Sequence, residues 1–168
     1  MSRQGAIDQA DVLAIQHQLG RVPRGCVDVA ARCHCGCPLV VRTLPRLPDG
    51  TPFPTTFYAT CPKLTAAIST LEVSGMMREM TQRLQQDEAL GAAYAAAHAA
   101  YLRSRASLGE VPEIEGISAG GMPTRVKCLH VLVAHSLSVG PGVNPLGDEA
   151  LAALPKWWQG GCCLVGPE

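Results

Sequence analysis

The sequence predicts an α+β fold, a mainly helical single domain spanning residues 1–168 with a small three-stranded antiparallel sheet. Three observations lead to that class. Short β-branched runs, "CVDVAARC", "PLVVRTL" and "TTFYATC", all fall before residue 62. Apolar residues at helical spacing dominate the rest of the chain. The 13 prolines and 17 glycines gather in clusters that separate these segments.

Asp8 to Leu19 has helical composition and stops at Gly20. The first two β-branched runs flank "HCGC", a turn, so they form a hairpin with thiols near its tip. "LPRLPDGTPFP" cannot be helix interior, because proline removes a donor and clashes with the preceding turn. "TTFYATC" is the third strand. Pro62 then suits a first helical position. Leu64, Ile68 and Leu71 form one apolar stripe, and Val73, Met77, Met80 and Leu84 form another in a different phase. The phase changes near Ser74-Gly75, where a kink or break is expected. Asp87 caps an alanine-rich helix running to Ser107 with the stripe Leu90, Tyr94, Ala97 and Tyr101. After the loop "LGEVPEIEGISAGGMP", a last main helix is expected from about Pro123 to Leu137, and a short one near Asp148 to Leu154. Residues 155–168 read as a loosely packed C-terminal tail carrying Cys162 and Cys163, with Trp157 and Trp158 packing it onto the body.

Hydrophobic residues make up 47% of the chain and charged residues 17%, which is globular composition. The formal net charge is zero, which argues against a nucleic-acid binder, since such proteins need a basic surplus. The longest apolar run, "LGAAYAAAHAAYL", contains His98, read as structural, and is too short for a membrane span. The start has no apolar stretch of signal-peptide type. The expected location is therefore the cytoplasm, where thiols stay reduced.

In that setting the eight cysteines read as metal ligands, reactive thiols or small core residues before they read as disulfides. Cys33 and Cys35 sit at the hairpin tip, Cys61 where a strand meets a helix, and Cys128 early in the last main helix. A helix N-terminus favours thiolate, directly at Cys61 and more weakly at Cys128, and Arg32, Arg125 and Lys127 add positive charge nearby. Four thiolates, Cys33, Cys35, Cys61 and Cys128, suit a closed zinc site or an iron–sulfur cluster. The spacing at the tip is C-x-C-G, one residue short of the familiar zinc knuckle, and no C-x-x-C exists. Cys37 is able to replace a hairpin ligand, and Cys26 reads as a core residue.

"GISAGGMPTRVKCLHVLVAH" joins a glycine-rich loop, a helix start, two cations and two histidines. Free N–H groups at such a start can hold an anion beside Arg125 and Lys127, although the loop lacks the Walker ending. Cys128 and His135 share a helix face but lie about 10 Å apart along the axis, too far to ligate one ion. His135 reads either as a hydrogen-bonded core histidine or, with Arg125 and Lys127, as a lining residue of an adjacent anion-binding pocket. His130 points elsewhere and reads as a packing or surface histidine, although a C-x-H pair at a frayed helix start is able to chelate.

Three functions are compatible with this pattern. The first is a thiolate-metal module with a regulatory or binding role. The second is an enzyme using a Cys/His pair, with Cys128 or Cys61 as nucleophile, on a small anionic substrate. The third is an interaction protein with incidental cysteines, docking a protein partner along the alanine-rich helix.

"RCHCG", "PRLPDGTPFPTTFYATCP", "VPEIEGISAGGMPTRVKCLHVLVAHSL" and "GPGVNPLGDEAL" together resemble the bacterial family known as domain of unknown function 501, from about Leu19 onward. The resemblance implies a cytoplasmic protein whose genes are often near those of enolase, a septum-formation initiator and an exopolyphosphatase. It hints at cell division or polyphosphate metabolism and supplies no catalytic residue. The positions matching the family pattern are Cys33, Cys35, Cys61, Cys128, His130 and His135, beside Arg125 and Lys127. The pattern carries asparagine where this chain has Cys37, which makes Cys37 a weaker ligand candidate, and Cys26, Cys162 and Cys163 fall outside it.

Overall fold

A computed structural model describes residues 7–164. Among the described residues, six α-helices accompany one three-stranded antiparallel sheet, the α+β arrangement expected. Helix α1 (Gln9–Leu19) starts at Asp8, whose carboxylate accepts from Asp11 N–H, and ends at Gly20. Strands β1 (Cys26–Arg32) and β2 (Pro38–Thr43) form the hairpin, and β3 (Phe57–Ala59) pairs with the far edge of β2. As the central strand, β2 is buried on both faces. Val41 and Val29 meet Ile15 of α1 on one face, and Val40 joins Phe57 in the main core on the other.

Cys61 precedes α2 (Pro62–Glu72), with Pro62 in the first turn. The expected break falls at Gly75, between α2 and α3 (Met76–Gln86). Asp87 caps α4 (Glu88–Ala106) by accepting from Leu90 N–H. Tyr94, Ala97 and Tyr101 bury its inner stripe, and the Tyr101 hydroxyl accepts from Thr56 N–H at 2.8 Å.

Helix α5 (Leu129–Val139) runs through the middle of the molecule and is buried from Leu129 to Ser136 apart from His130. A helix apolar nearly all round belongs in such a place. It begins six residues later than the Pro123 expected from sequence. The reason is that the intervening N–H groups are bound outside a helix. Gly121 carbonyl accepts from Arg125, Gly120 carbonyl accepts from Lys127, and Thr81 Oγ1 accepts from Val126. A Cβ on Gly121 would sit 2.7 Å from the Arg125 carbonyl oxygen, so this turn requires glycine.

Helix α6 (Pro145–Ala153) starts slightly before the Asp148 expected, because Asn144 accepts from Gly147 N–H. Gly147 lies against the Leu132 carbonyl and Ser136 hydroxyl of α5, where a Cβ has no room. A 3-10 turn at Trp157–Gly160 packs against the hairpin tip, and Cys163 is 6% exposed. No helix among the described residues is long and apolar enough to cross a membrane.

Candidate metal centre

The hairpin turn places three thiols within one loop. Cys33 N–H donates to the Cys37 carbonyl at 2.9 Å, and Gly36 N–H donates to the Cys33 carbonyl at 2.9 Å. Arg32 spans this turn, donating to the Gly36 carbonyl and, through both terminal nitrogens, to the Asp11 carboxylate at 2.8 and 2.7 Å. That bidentate pair holds the Asp11 carboxyl below the usual carboxylate range. The charge that Arg32 was expected to offer the thiols is committed to α1.

The C-terminal segment closes over the loop. The Trp158 ring stacks on His34 with centroids 4.7 Å apart and planes within 6°. Lys63 Nζ donates to the Gly160 carbonyl at 2.7 Å. Gln18 Nε2 donates to the Pro38 carbonyl at 2.8 Å and reaches Cys163 Sγ at 3.5 Å. These contacts bring Cys162 and Cys163 onto the hairpin.

The sulfur atoms of Cys33, Cys61 and Cys163 lie within 4.8 Å of one another, all three buried. Those of Cys35, Cys37 and Cys163 form a second such group, with Cys35 and Cys163 at 3.5 Å. Cys162 adjoins Cys37 at 4.0 Å. Cys163 therefore belongs to both groups. All the cysteines are unbridged.

Crowding sets the protonation pattern. Burial opposes ionisation of Cys35, but hydrogen bonds from the backbone and thiols of Cys163 and Cys37 outweigh it and bring its pKa to about 6. Its neighbours move the other way. Burial, then the hydrogen bond and charge of Cys35, push Cys37 up to about 12, and burial with the same neighbour raises Cys163. Burial also raises Cys33. Ionised Cys35 opposes ionisation of Cys33, Cys37 and Cys163, and a bound cation would relieve that repulsion.

Cys33, Cys35 and Cys61 of the sequence-based set thus come together, but Cys128 does not join them. It precedes α5 in a separate group with Glu72 and His130, whose ligand atoms also lie within 4.8 Å. Sequence alone groups it with the other thiols because nothing local tells which face of the body a helix start reaches. Cys163 escapes sequence reasoning for the opposite reason, that a segment rich in glycine near a chain end reads as a tail. The signal available is the pairing of "CC" with two tryptophans just before it. Cys26 stands apart, packed beside the Ile15, Val29 and Val41 cluster, where burial raises its thiol.

The residues expected to line an anion pocket are not brought together. Arg125 and Lys127 are exposed, whereas His135 is wholly buried, its ring stacked on Phe57 and edge-on to Tyr101. Asn144 accepts from Gly147 with its oxygen, so its nitrogen donates to His135 Nδ1 at 3.2 Å. That leaves the His135 proton on Nε2, and burial holds the ring neutral by lowering its pKa to about 4. The start of α5 already has its anion, because Glu72 Oε1 accepts from Leu129 N–H at 2.8 Å. Glu72 is not singled out by the sequence patterns above, although an acid at the C-terminal end of a helix is placed against the dipole and invites the question of its partner. His98, read as structural, bonds to Ser118 at 2.7 Å.

No curated protein matches the chain, and no solved structure matches it. Residues 29–152 match the family model described as "Protein of unknown function (DUF501)", a span that holds the hairpin thiols, Cys61 and the Glu72–Cys128–His130 group but ends before Cys163. The chain belongs to that family.

Proposed function

We propose that the thiol cluster binds one zinc ion through Cys33, Cys61 and Cys163, with Cys35 as fourth donor, and that the protein acts as a zinc-stapled regulatory or binding module. The observation that carries this reading is the mutual approach of three buried sulfurs from the hairpin, the start of α2 and the C-terminal segment. Thiolates on one tetrahedral zinc at about 2.3 Å are about 3.8 Å apart. In a four-iron four-sulfur cluster each thiolate binds its own iron, so those sulfurs stand farther apart than one ion allows. The crowding here favours the single ion. Four protein donors leave zinc no open position, which suits a structural role over a hydrolytic one.

Oxygen-free purification followed by elemental analysis and a visible spectrum tests this. A colourless protein with one zinc per chain is expected, with zinc lost in Cys163→Ser and Cys61→Ser. A brown protein with iron and sulfide, or one with no metal at all, overturns it.

A further inference from the structure

A second group of reactive side chains lies away from the thiol cluster. Glu72 ends α2, Cys128 precedes α5 and His130 sits in the first turn of α5. Glu72 Oε1 accepts from His130 Nδ1–H at 3.0 Å and from Leu129 N–H at 2.8 Å, so one carboxylate fixes both the ring and the helix start. On the other side of the ring, Nε2 faces the Thr65 carbonyl at 3.2 Å and Ser69 Oγ at 3.3 Å. A carbonyl only accepts, and so does an ionised carboxylate. Both ring nitrogens therefore carry protons, and His130 is an imidazolium. The Cys128 sulfur, the Glu72 carboxylate and a ring nitrogen lie within 4.8 Å of one another, and Cys128 first and Glu72 next raise the His130 pKa to about 9. A doubly protonated ring is a poor metal ligand but a good charge partner for a sulfur anion.

Cys128 and His130 also line a cleft of about 470 Å³, together with Phe57, Tyr58, Thr60 and Val131. Cys128 is partly exposed there and caps no backbone group. Nucleophile and cation thus meet at the wall of a space that admits a small molecule, with the orienting carboxylate bonded to the ring.

We propose that Cys128 is a nucleophile toward acyl groups in this cleft, paired with His130, with Glu72 as the residue that positions the ring. The substrate class is a small ester or thioester. The Cys128 sulfur, reacting as thiolate, bonds to the carbonyl carbon. The bond from that carbon to the leaving group breaks, its electron pair departs with the leaving group, and His130 supplies the proton. Water then cleaves the thioester, releasing the carboxylic acid and returning one proton to His130 and the anionic sulfur to Cys128. This reading is independent of the zinc site.

The test is acylation of the protein as purified by p-nitrophenyl acetate at pH 7, with the acetylated cysteine mapped by mass spectrometry. Acetylation of Cys128 at least about tenfold faster than of Cys26 is expected, with the nitrophenolate burst lost in Cys128→Ser. His130→Gln is expected to slow acylation roughly 10- to 100-fold. Glu72→Gln keeps an acceptor for Leu129 N–H while removing the charge. It is expected to slow acylation several-fold and to lower the imidazole pKa of His130 read by NMR. Acetylation of Cys128 no faster than Cys26 in the parent protein overturns the proposal without any mutant. A folded His130→Gln variant acylated at the parental rate overturns the pairing. Both readouts track Cys128 alone, so failure of the zinc reading, which would appear as labelling of Cys35 and its neighbours, is scored separately.

Discussion

The sulfur of Cys35 lies 3.5 Å from that of Cys163, although 128 residues separate them in the chain. That contact makes the C-terminal segment part of the thiol cluster and decides which substitutions should matter. Cys163→Ser is expected to remove zinc and lower the melting temperature together, because metal binding and folding share one free energy. Cys26→Ser, outside the cluster, is expected to leave zinc content unchanged. Elemental analysis and thermal melts of the two variants side by side provide the check.

The stack of Trp158 on His34 holds that segment over the hairpin. Trp158→Ala is expected to cost about 1 kcal/mol in denaturant unfolding and to weaken zinc retention against a chelator. A chelator titration that does not distinguish the variant from the parent would mean that the metal does not depend on this clasp.

His135 makes stability sensitive to acid. Its folded pKa of about 4 lies below the ordinary histidine value, so the unfolded chain binds the extra proton between the two. The neutral ring's contribution is complete above about pH 6.5 and is lost as pH falls toward 4, by about 3 kcal/mol in all. Urea midpoints at pH 7 and pH 4.5 should differ less in His135→Phe than in the parent.

His130 has the opposite sign. Its folded pKa of about 9 lies above the ordinary value, so its contribution is complete below about pH 6.5 and is lost as pH rises through 9. About 1–2 kcal/mol is expected, since the ring is partly solvated and the pair partly screened. Glu72→Gln should flatten the alkaline limb of stability measured from pH 6.5 to 9.5.

Gly147 of α6 lies directly against the Leu132 carbonyl and Ser136 hydroxyl of α5. Gly147→Ala is expected to destabilise by about 1–3 kcal/mol, although alanine is the better helix former, because a methyl group overpacks the Leu132 and Ser136 contacts. Chemical denaturation measures it directly, and a stability gain would contradict the close contact.

Much of the fold is legible locally. The hairpin around "HCGC", the break at Gly75, the cap at Asp87 and the stripe through Tyr94, Ala97 and Tyr101 all come from chemistry within a few residues. Two features of α5 are not legible in that way. The helix starts at Leu129 because Thr81 and Glu72, from other helices, take up N–H groups at and just ahead of its start. Of the two readings open for His135, the core one holds, which the sequence could not decide, because α5 is central and nearly its whole circumference is enclosed.

The sequence by itself determined the element order, the break between α2 and α3, and the gathering of thiols at the hairpin tip and at Cys61, because propensity, capping and turn chemistry act within a few residues. Only the tertiary structure decided which thiols meet. Cys163 joins the hairpin through the stack of Trp158 on His34, and Cys128 falls into a separate group with Glu72 and His130. The physical reason is range. A ligand set depends on distances between elements far apart in the chain, and those distances come from how buried surfaces pack, which spacing along a sequence does not encode.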